Sequence, residues 1–426
     1  MCSFVLSKIK IISEKIKLMK ILCLGGFREV GRNGVVIDTG KTRILLDYGI
    51  KVETGEVPLK AKNIDAVLLS HAHLDHSGLI PCVKAEIYAT AATLEQAHLL
   101  LEDSIKVAKK KNFPIRFSKN DIKKMKEFIV TYGQEFEIED ITIEVYDAGH
   151  VPGSAGFLIE AKKRIFYTGD FKLSETRLLR GANFKEVKDV DILITESTYA
   201  YKEHPPREVV EEKLIEIIEE TIANDGNVIL PVFAVGRAAE ILLVLHAYKI
   251  KYPIYLDGMA KQATEIITHY PELLKNPKEL KKALERVIPI YTPKDRKLAI
   301  REPSIIVTTA GMLSGGPVVH FIKKLRNREE CSLIFTGFQV PGTPGRELLD
   351  TGIYSNENIS FKVKMNIKYL DFSAHSSRSE LFELFEHLNP EKIIVMHGEN
   401  CEEFAAELNK KGYNAIAPEN GDELKV

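Results

Sequence analysis

Along residues 19–199 the apolar positions fall in short runs at 19–24, 34–38, 42–47, 64–70, 86–89, 141–147, 155–160, 163–168 and 190–195, separated by Gly, Asn or charged turns. Such runs predict β-strands. Two stretches with a helical period, 91–111 and 119–128, interrupt them, so packed sheets flanked by helices are expected. From Pro206 the pattern changes. Val209, Val210, Leu214, Ile217, Ile218 and Ile222 mark one face of a helix that stops at Gly226. Continuous apolar segments then alternate with helices: NVILPVF, a helix opened by Gly236 and Arg237 that runs to about Tyr248, then YPIYLD, IIVTTAG and SLIFTGF. This alternation predicts an α/β unit on a mainly parallel sheet, ending near residue 358. Residues 359–426 return to the first style, with a strand in FKVKMNIKYL, a helix over 376–388, the strand KIIVM and a helix over 400–411. This tail is too short for a large core of its own. It is expected to complete the first unit, which makes 200–358 an insertion between 19–199 and 359–426.

Composition narrows the class. No run of about 18 apolar residues occurs, so no membrane span is expected. The five cysteines (Cys2, Cys23, Cys82, Cys331 and Cys401) are scattered, with no C-x-x-C. That argues against a disulfide framework, fits a reducing cytoplasm, and leaves His and carboxylates as the metal-binding groups. The net charge of -1 gives no overall field to attract a polyanion, so any nucleic-acid contact must be local. Residues 1–18 carry Lys8, Lys10, Lys15 and Lys17 between isoleucines and lack the continuous apolar core of a secretion signal. They read as an N-terminal extension ahead of the clean strand opened by Met19, with a basic RNA-contacting arm as the alternative.

The sharpest chemistry is Ser70-His71-Ala72-His73-Leu74-Asp75-His76, directly after the apolar run IDAVLL. Two histidines two residues apart on extended backbone point to one side. The following turn directs Asp75 and His76 to a second point. Imidazole and carboxylate are suitable zinc ligands, and one ion needs about four, so distant partners are required. His150, Asp170 and His397 each follow an apolar strand, where sheet proteins collect site residues. Asp47, after RILL, and Glu196, after DILIT, are placed likewise.

Together these residues resemble the metallo-β-lactamase superfamily. Glu196 in TES, His375 in FSAHSS and His397 in VMHGE resemble the extra motifs of its β-CASP nuclease branch. GMLSGGPVVHF and GTPGRELLD are most similar to the endonuclease subunit of the cleavage and polyadenylation specificity factor and its archaeal homologues. The resemblance implies an α/β fold: an αββα metallo-β-lactamase sandwich with an inserted parallel-sheet β-CASP domain. It implies two Zn2+ per chain, one on His71, His73 and His150, the other on Asp75, His76 and His397, bridged by Asp170. Asp47 would hold the ligand loop in shape without touching metal. The catalytic residues would be Asp75, His375 as the acid that protonates the departing 3′ oxygen, and Glu196 as the group orienting His375. Phosphate contacts are expected from Arg237 at a helix start, from the amides of Ser314, Gly315 and Gly316, and from Arg346.

The implied activity is zinc-dependent hydrolysis of single-stranded RNA, endonucleolytic, in RNA 3′-end processing or decay. A homodimer or an RNA-processing complex is compatible with it. The alternatives are a 5′-to-3′ exonuclease of the ribonuclease J type, a small-molecule hydrolase on the same fold, and a non-catalytic scaffold. The complete ligand set argues against the last. Lys109, Lys110 and Lys111 read as a solvated face. His204, His98, His246, His269 and His387 receive no catalytic part.

Overall fold

The computed structural model describes residues 18–426, so the N-terminal extension lies outside the described residues. Two seven-stranded sheets face each other in the first unit. One runs Glu423–Lys425, Lys20–Gly25, Gly34–Asp38, Arg43–Leu46, Ala66–Leu68, Glu86–Ala89, Lys126–Ile129. The other runs Ala415–Ile416, Lys392–Met396, Ile192–Glu196, Arg164–Tyr167, Ala155–Glu160, Ile141–Asp147, Glu135–Ile138. Period-2 alternation decides what each strand buries. Ile141, Ile143 and Val145 point between the sheets, where they meet Ile37, Ile44, Leu68 and Phe157. The outer faces bury Val67, Leu69 and Ile87 against Leu94, Ala97 and Leu101 of helix Ala91–Lys110, and Leu158, Phe166 and Leu193 against helices Arg378–Leu388 and Cys401–Lys410. The result is the expected αββα sandwich.

The inserted unit is a six-stranded sheet in the order Val287–Pro289, Ile254–Asp257, Ile305–Thr308, Val228–Pro231, Ser332–Phe335, Asn366–Tyr369. Every pairing in it is parallel. Val228, Leu230 and Val307 pack on one face; Ile229, Ile306 and Leu333 pack on the other. Burial on both faces explains why these strands read as unbroken apolar runs.

The structure moves two expected boundaries. FKVKMNIKYL is not one strand of the sandwich. Ile359–Lys362 pairs with Ile353–Asn356 as a hairpin, and Asn366–Tyr369 forms the edge of the parallel sheet beside Ser332–Phe335. Val363 and Met365 are buried in that unit's own core. The insertion therefore continues past 358 to Tyr369, and the chain rejoins the sandwich only after it. Likewise, 119–128 is not a single helix. Lys119–Lys123 is helical, closed by a capping box between Ser118 and Asp121, and Lys126–Ile129 is an edge strand. Its four residues are all exposed, so it lacks the buried face that makes a strand legible. Among the described residues no helix is long and apolar enough to cross a membrane.

Candidate metal centre

The loops that leave the C-terminal ends of the sandwich strands converge at the junction of the two units. His71–His76 follows Ala66–Leu68, His150 follows Ile141–Asp147, Asp170 follows Arg164–Tyr167, and His397 follows Lys392–Met396. His71 Nε2 lies 3.0 Å from His73 Nδ1, which lies 3.3 Å from His150 Nε2. Asp75, His76 and His397 form a second group, with His397 Nε2 3.8 Å from Asp75 Oδ2. Asp170 Oδ2 stands between them, 3.6 Å from His71 Nε2, 3.4 Å from His76 Nε2, 3.9 Å from His150 Nε2 and 3.7 Å from His397 Nε2.

The far nitrogen of four of these rings is fixed. His76 Nδ1 donates to Asp47 at 2.6 Å, His150 Nδ1 to the Ala374 carbonyl at 2.8 Å, His397 Nδ1 to Asn33 Oδ1 at 3.0 Å, and His71 Nδ1 to Ser70 Oγ at 3.0 Å. Each bond selects the tautomer whose Nε2 lone pair faces the shared centre. Burial favours neutral imidazole at His71, His73 and His150, with the His73 pKa down to about 4. Neutral imidazole is the ligating form. Asp170 Oδ1 is buried and accepts no hydrogen bond. A buried carboxylate oxygen without a donor is costly, and a cation among these donors would satisfy it. The nitrogen and carboxylate set fits divalent zinc.

Beside this cluster, Glu196 and His375 form a dyad. His375 Nδ1 donates to the Glu196 carboxylate at 2.8 Å, and Glu196 also accepts from the Phe171 amide at 2.9 Å. Burial disfavours a charged His375, but the Glu196 charge and hydrogen bond outweigh it and the pKa is raised. The His375 ring packs 4.6 Å from that of His150. His375 can also be grouped geometrically with His150 and Asp170 as a ligand trio. His73, Asp75, His150, Asp170, His375 and His397 face a cavity of about 370 Å³ whose other wall, including Phe233, Arg237, Ser314 and Phe338, comes from the inserted unit.

Sequence comparison gives the architecture a family. Residues 35–229 match the beta-lactamase superfamily domain, 238–348 the Beta-Casp domain, and 360–418 the Zn-dependent metallo-hydrolase RNA specificity domain. The chain is 38% identical to a protein named probable RNase MJ4 from Methanocaldococcus jannaschii, over 96% of this chain and 100% of that protein. The chain belongs to the β-CASP branch of the metallo-β-lactamase superfamily. It is also 34% identical to RNase aCSPSF2 of Saccharolobus solfataricus, over 97% of this chain and 86% of that one. A transcription termination factor FttA from Pyrococcus abyssi is 34% identical, over 97% and 72%. A solved structure of a protein of unknown function from Enterococcus faecalis V583 shares the fold, with a TM-score of 0.63 at 15% identity over 96% and 100%.

Within this β-CASP fold the expected phosphate contacts fare unequally. Ser314 lines the cavity, and the neighbouring Gly315 and Gly316 both adopt positive φ, 156° and 76°. Arg237 also lines it, but its guanidinium is buried and donates to the Phe372 carbonyl, while its Nε has no partner. Burial lowers its pKa to about 10. Arg346 does not line the cavity. It sits on an exposed helix face and pairs with Asp350 at 2.7 Å, an i,i+4 ion pair.

Three supporting residues carry no sequence signal of comparable strength. Asn33, fully buried, places Nδ2 2.9 Å from His76 Nε2 and 2.8 Å from His397 Nδ1, so it touches both histidines of one ligand group. Tyr167 donates to Asp47 at 2.7 Å. His204 places Nδ1 3.1 Å from Asp371 and Nε2 3.1 Å from the His375 carbonyl, which supports the loop that carries the dyad.

Proposed function

We propose that this β-CASP protein is a two-zinc ribonuclease that hydrolyses phosphodiester bonds within single-stranded RNA. One observation carries the reading: two ligand groups sharing Asp170 lie beside a His375–Glu196 dyad on one cleft between two units. His71, His73 and His150 would hold one ion, and Asp75, His76 and His397 the other. When bound, the ions supply Lewis acidity, which makes water nucleophilic near neutral pH and neutralises phosphoryl charge.

The remaining work falls to side chains. His375, with Nδ1 held by Glu196, keeps Nε2 for a proton. It delivers that proton to the departing 3′ oxygen, a poor leaving group without one. Glu196 fixes the ring and favours its charged form. Asp47 and Asn33 keep His76 and His397 in place. On the opposite wall, Ser314 and the Gly315–Gly316 turn offer hydroxyl and amide donors to phosphate, and Arg237 offers charge at a helix start. Arg346, off the cavity wall and paired with Asp350, is left out of this reading. The names of the relatives, RNases and a transcription termination factor, support RNA as substrate.

The test is the purified full chain with single-stranded RNA labelled uniformly or at the 5′ end. Discrete internal products are expected. Chelation should abolish them, and zinc should restore them at about two equivalents. Mononucleotides alone would replace the endonuclease with a 5′-to-3′ exonuclease. Inertness on RNA together with hydrolysis of a lactam or thioester would remove the ribonuclease reading.

A further inference from the structure

Residues 106–126 carry nine Lys and Arg but one acidic residue, Asp121, in a chain whose net charge is -1. Two of the nine have a carboxylate within 4.0 Å: Lys106 with Asp103 and Lys119 with Glu102. The other seven pair with no carboxylate among the described residues. Lys109, Lys110, Arg116, Lys123 and Lys124 are exposed and Lys111 is partly so. Surface lysines of a soluble protein are usually interspersed with acids, so an unneutralised strip of this length calls for a polyanion.

Its position says which one. Helix Ala91–Lys110 lines the catalytic cavity at Leu100 and ends roughly 16 Å further on with Lys109, Lys110 and Lys111. The chain then turns back. The Phe113 ring sits where a side chain at Gly55 would meet it at 3.1 Å, so the basic segment packs on the loop whose Val52 and Glu53 form the cavity mouth. Glu53 lies within electrostatic reach of both Asp75 and Lys111: burial and then Asp75 raise its pKa, and Lys111 lowers it. The strip continues through helix Lys119–Lys123 to the free edge strand Lys126–Ile129, where Phe128 is 43% and Ile129 63% exposed. The cavity side of this mouth is acidic, with Glu53, Asp75 and Asp170. Outside the metal ligands Asp75 and Asp170, the mouth itself presents Glu53 and no lysine, so basic charge for a longer strand lies on the adjoining strip.

We propose that the basic strip of 106–126 is a second RNA-binding surface, which holds the phosphates of single-stranded RNA outside the cleft and feeds the strand past Glu53 to the metal centre. This rests on the ribonuclease reading above. The strip contributes affinity and not chemistry, so it discriminates long RNA from short.

The experiment compares zinc-loaded wild type with K109Q/K110Q/K111Q/K123Q/K124Q, using single-stranded RNAs of about 30 and about four nucleotides. On the long RNA, KM should rise roughly tenfold or more with kcat unchanged, and the slope of log affinity against log salt should fall by about 3.5, or 0.7 for each lost phosphate contact. On the short RNA neither constant should move. The corresponding five-arginine variant should retain wild-type KM, because it restores charge. Unchanged KM and salt slope on long RNA would overturn the proposal. So would an equal loss on both RNAs, or loss of binding to anionic phospholipid vesicles with RNA unaffected. If wild type cleaves neither RNA, the ribonuclease reading fails instead, and RNA binding by the two variants still tests the strip.

Discussion

Asp47 has φ +54° and both carboxylate oxygens occupied: Oδ1 accepts from the Ser70 amide at 2.7 Å, and Oδ2 from Ser70 Oγ, Tyr167 OH and His76 Nδ1. A non-glycine residue in the left-handed region persists only where its surroundings over-determine it. Asp47→Ala would leave three side-chain donors and an amide without an acceptor in a dry site, at roughly 1–3 kcal/mol for each one that stays unpaired. It should also weaken zinc affinity about 10–100-fold, because His76 loses the bond that fixes its tautomer. Competition with a calibrated chelator measures the second effect, and a urea midpoint the first. His375→Ala separates the two roles that geometry allows this residue. As a proton donor, it should keep two zincs per chain in elemental analysis and lose about 10²–10⁴ in kcat. A substrate with sulfur in place of the scissile 3′ oxygen should recover most of that loss, since a thiolate leaves unprotonated. Loss of one zinc would make His375 a ligand. These residues were legible because the cluster 71–76 is contiguous and its partners follow apolar strands. Asn33 was not. It reaches His397 across 364 positions, and an Asn in a Gly-rich turn has an ordinary local explanation.

At the level of elements, two crossover segments join the units, and they are laced to each other. Lys202 pairs with Asp371 at 2.7 Å and His204 at 3.1 Å; Arg207 donates to the Ser373 carbonyl at 3.3 Å, and the Arg378 amide to the Lys202 carbonyl at 3.0 Å. The return crossover carries His375, so these bonds also position the dyad. Burial works against a charged Asp371, but His204 and Lys202 overcome it and hold its carboxyl well below the usual range. The sign follows from linkage. A group depressed in the folded state stabilises above its unfolded pKa of about 4, and that stabilisation is lost as pH falls below it. Asp371→Asn should therefore lower the denaturation midpoint at neutral pH, and the gap to wild type should close on acidification below about pH 4. An equal gap at all pH values would reduce Asp371 to a packing role. The strands missed in the sequence share one cause: a short edge strand has only one neighbour and little buried face. Lys126–Ile129 is wholly exposed, and Asn366–Tyr369 alternates exposed and half-buried residues. Neither shows the apolar run by which the central strands are recognised, and the lysines in FKVKMNIKYL imitate the alternation of a sandwich strand.

At the scale of the molecule, both units line the cavity, but stability does not require both equally. The two cores flanking the parallel sheet draw almost wholly on residues 210–372, including Val363, Met365 and Phe372. The sandwich enters the insertion's packing at two places: Leu178 and Leu179 meet Ala239, Leu243 and Ile267, and Leu94, Ala97 and Leu101 share a core with Val235 and Ala263. A segment spanning 205–372 keeps every strand of its sheet and both faces covered, so it should fold alone, as a monomer with one cooperative thermal transition by circular dichroism. Its stability should be lower than in the full chain, since the surfaces that meet Leu178 and Leu179 and helix Ala91–Lys110 become exposed. A segment spanning 205–358 lacks Asn366–Tyr369 and uncovers Ser332–Phe335, four buried residues with free backbone donors and acceptors along one side. An apolar unpaired edge of this kind invites intermolecular pairing, and removing Val363 and Met365 opens the core behind it. The shorter segment should aggregate, or show no cooperative transition. If it instead melts like the longer one, the edge strand is dispensable, and the insertion ends where the apolar pattern of the sequence placed it, near 358.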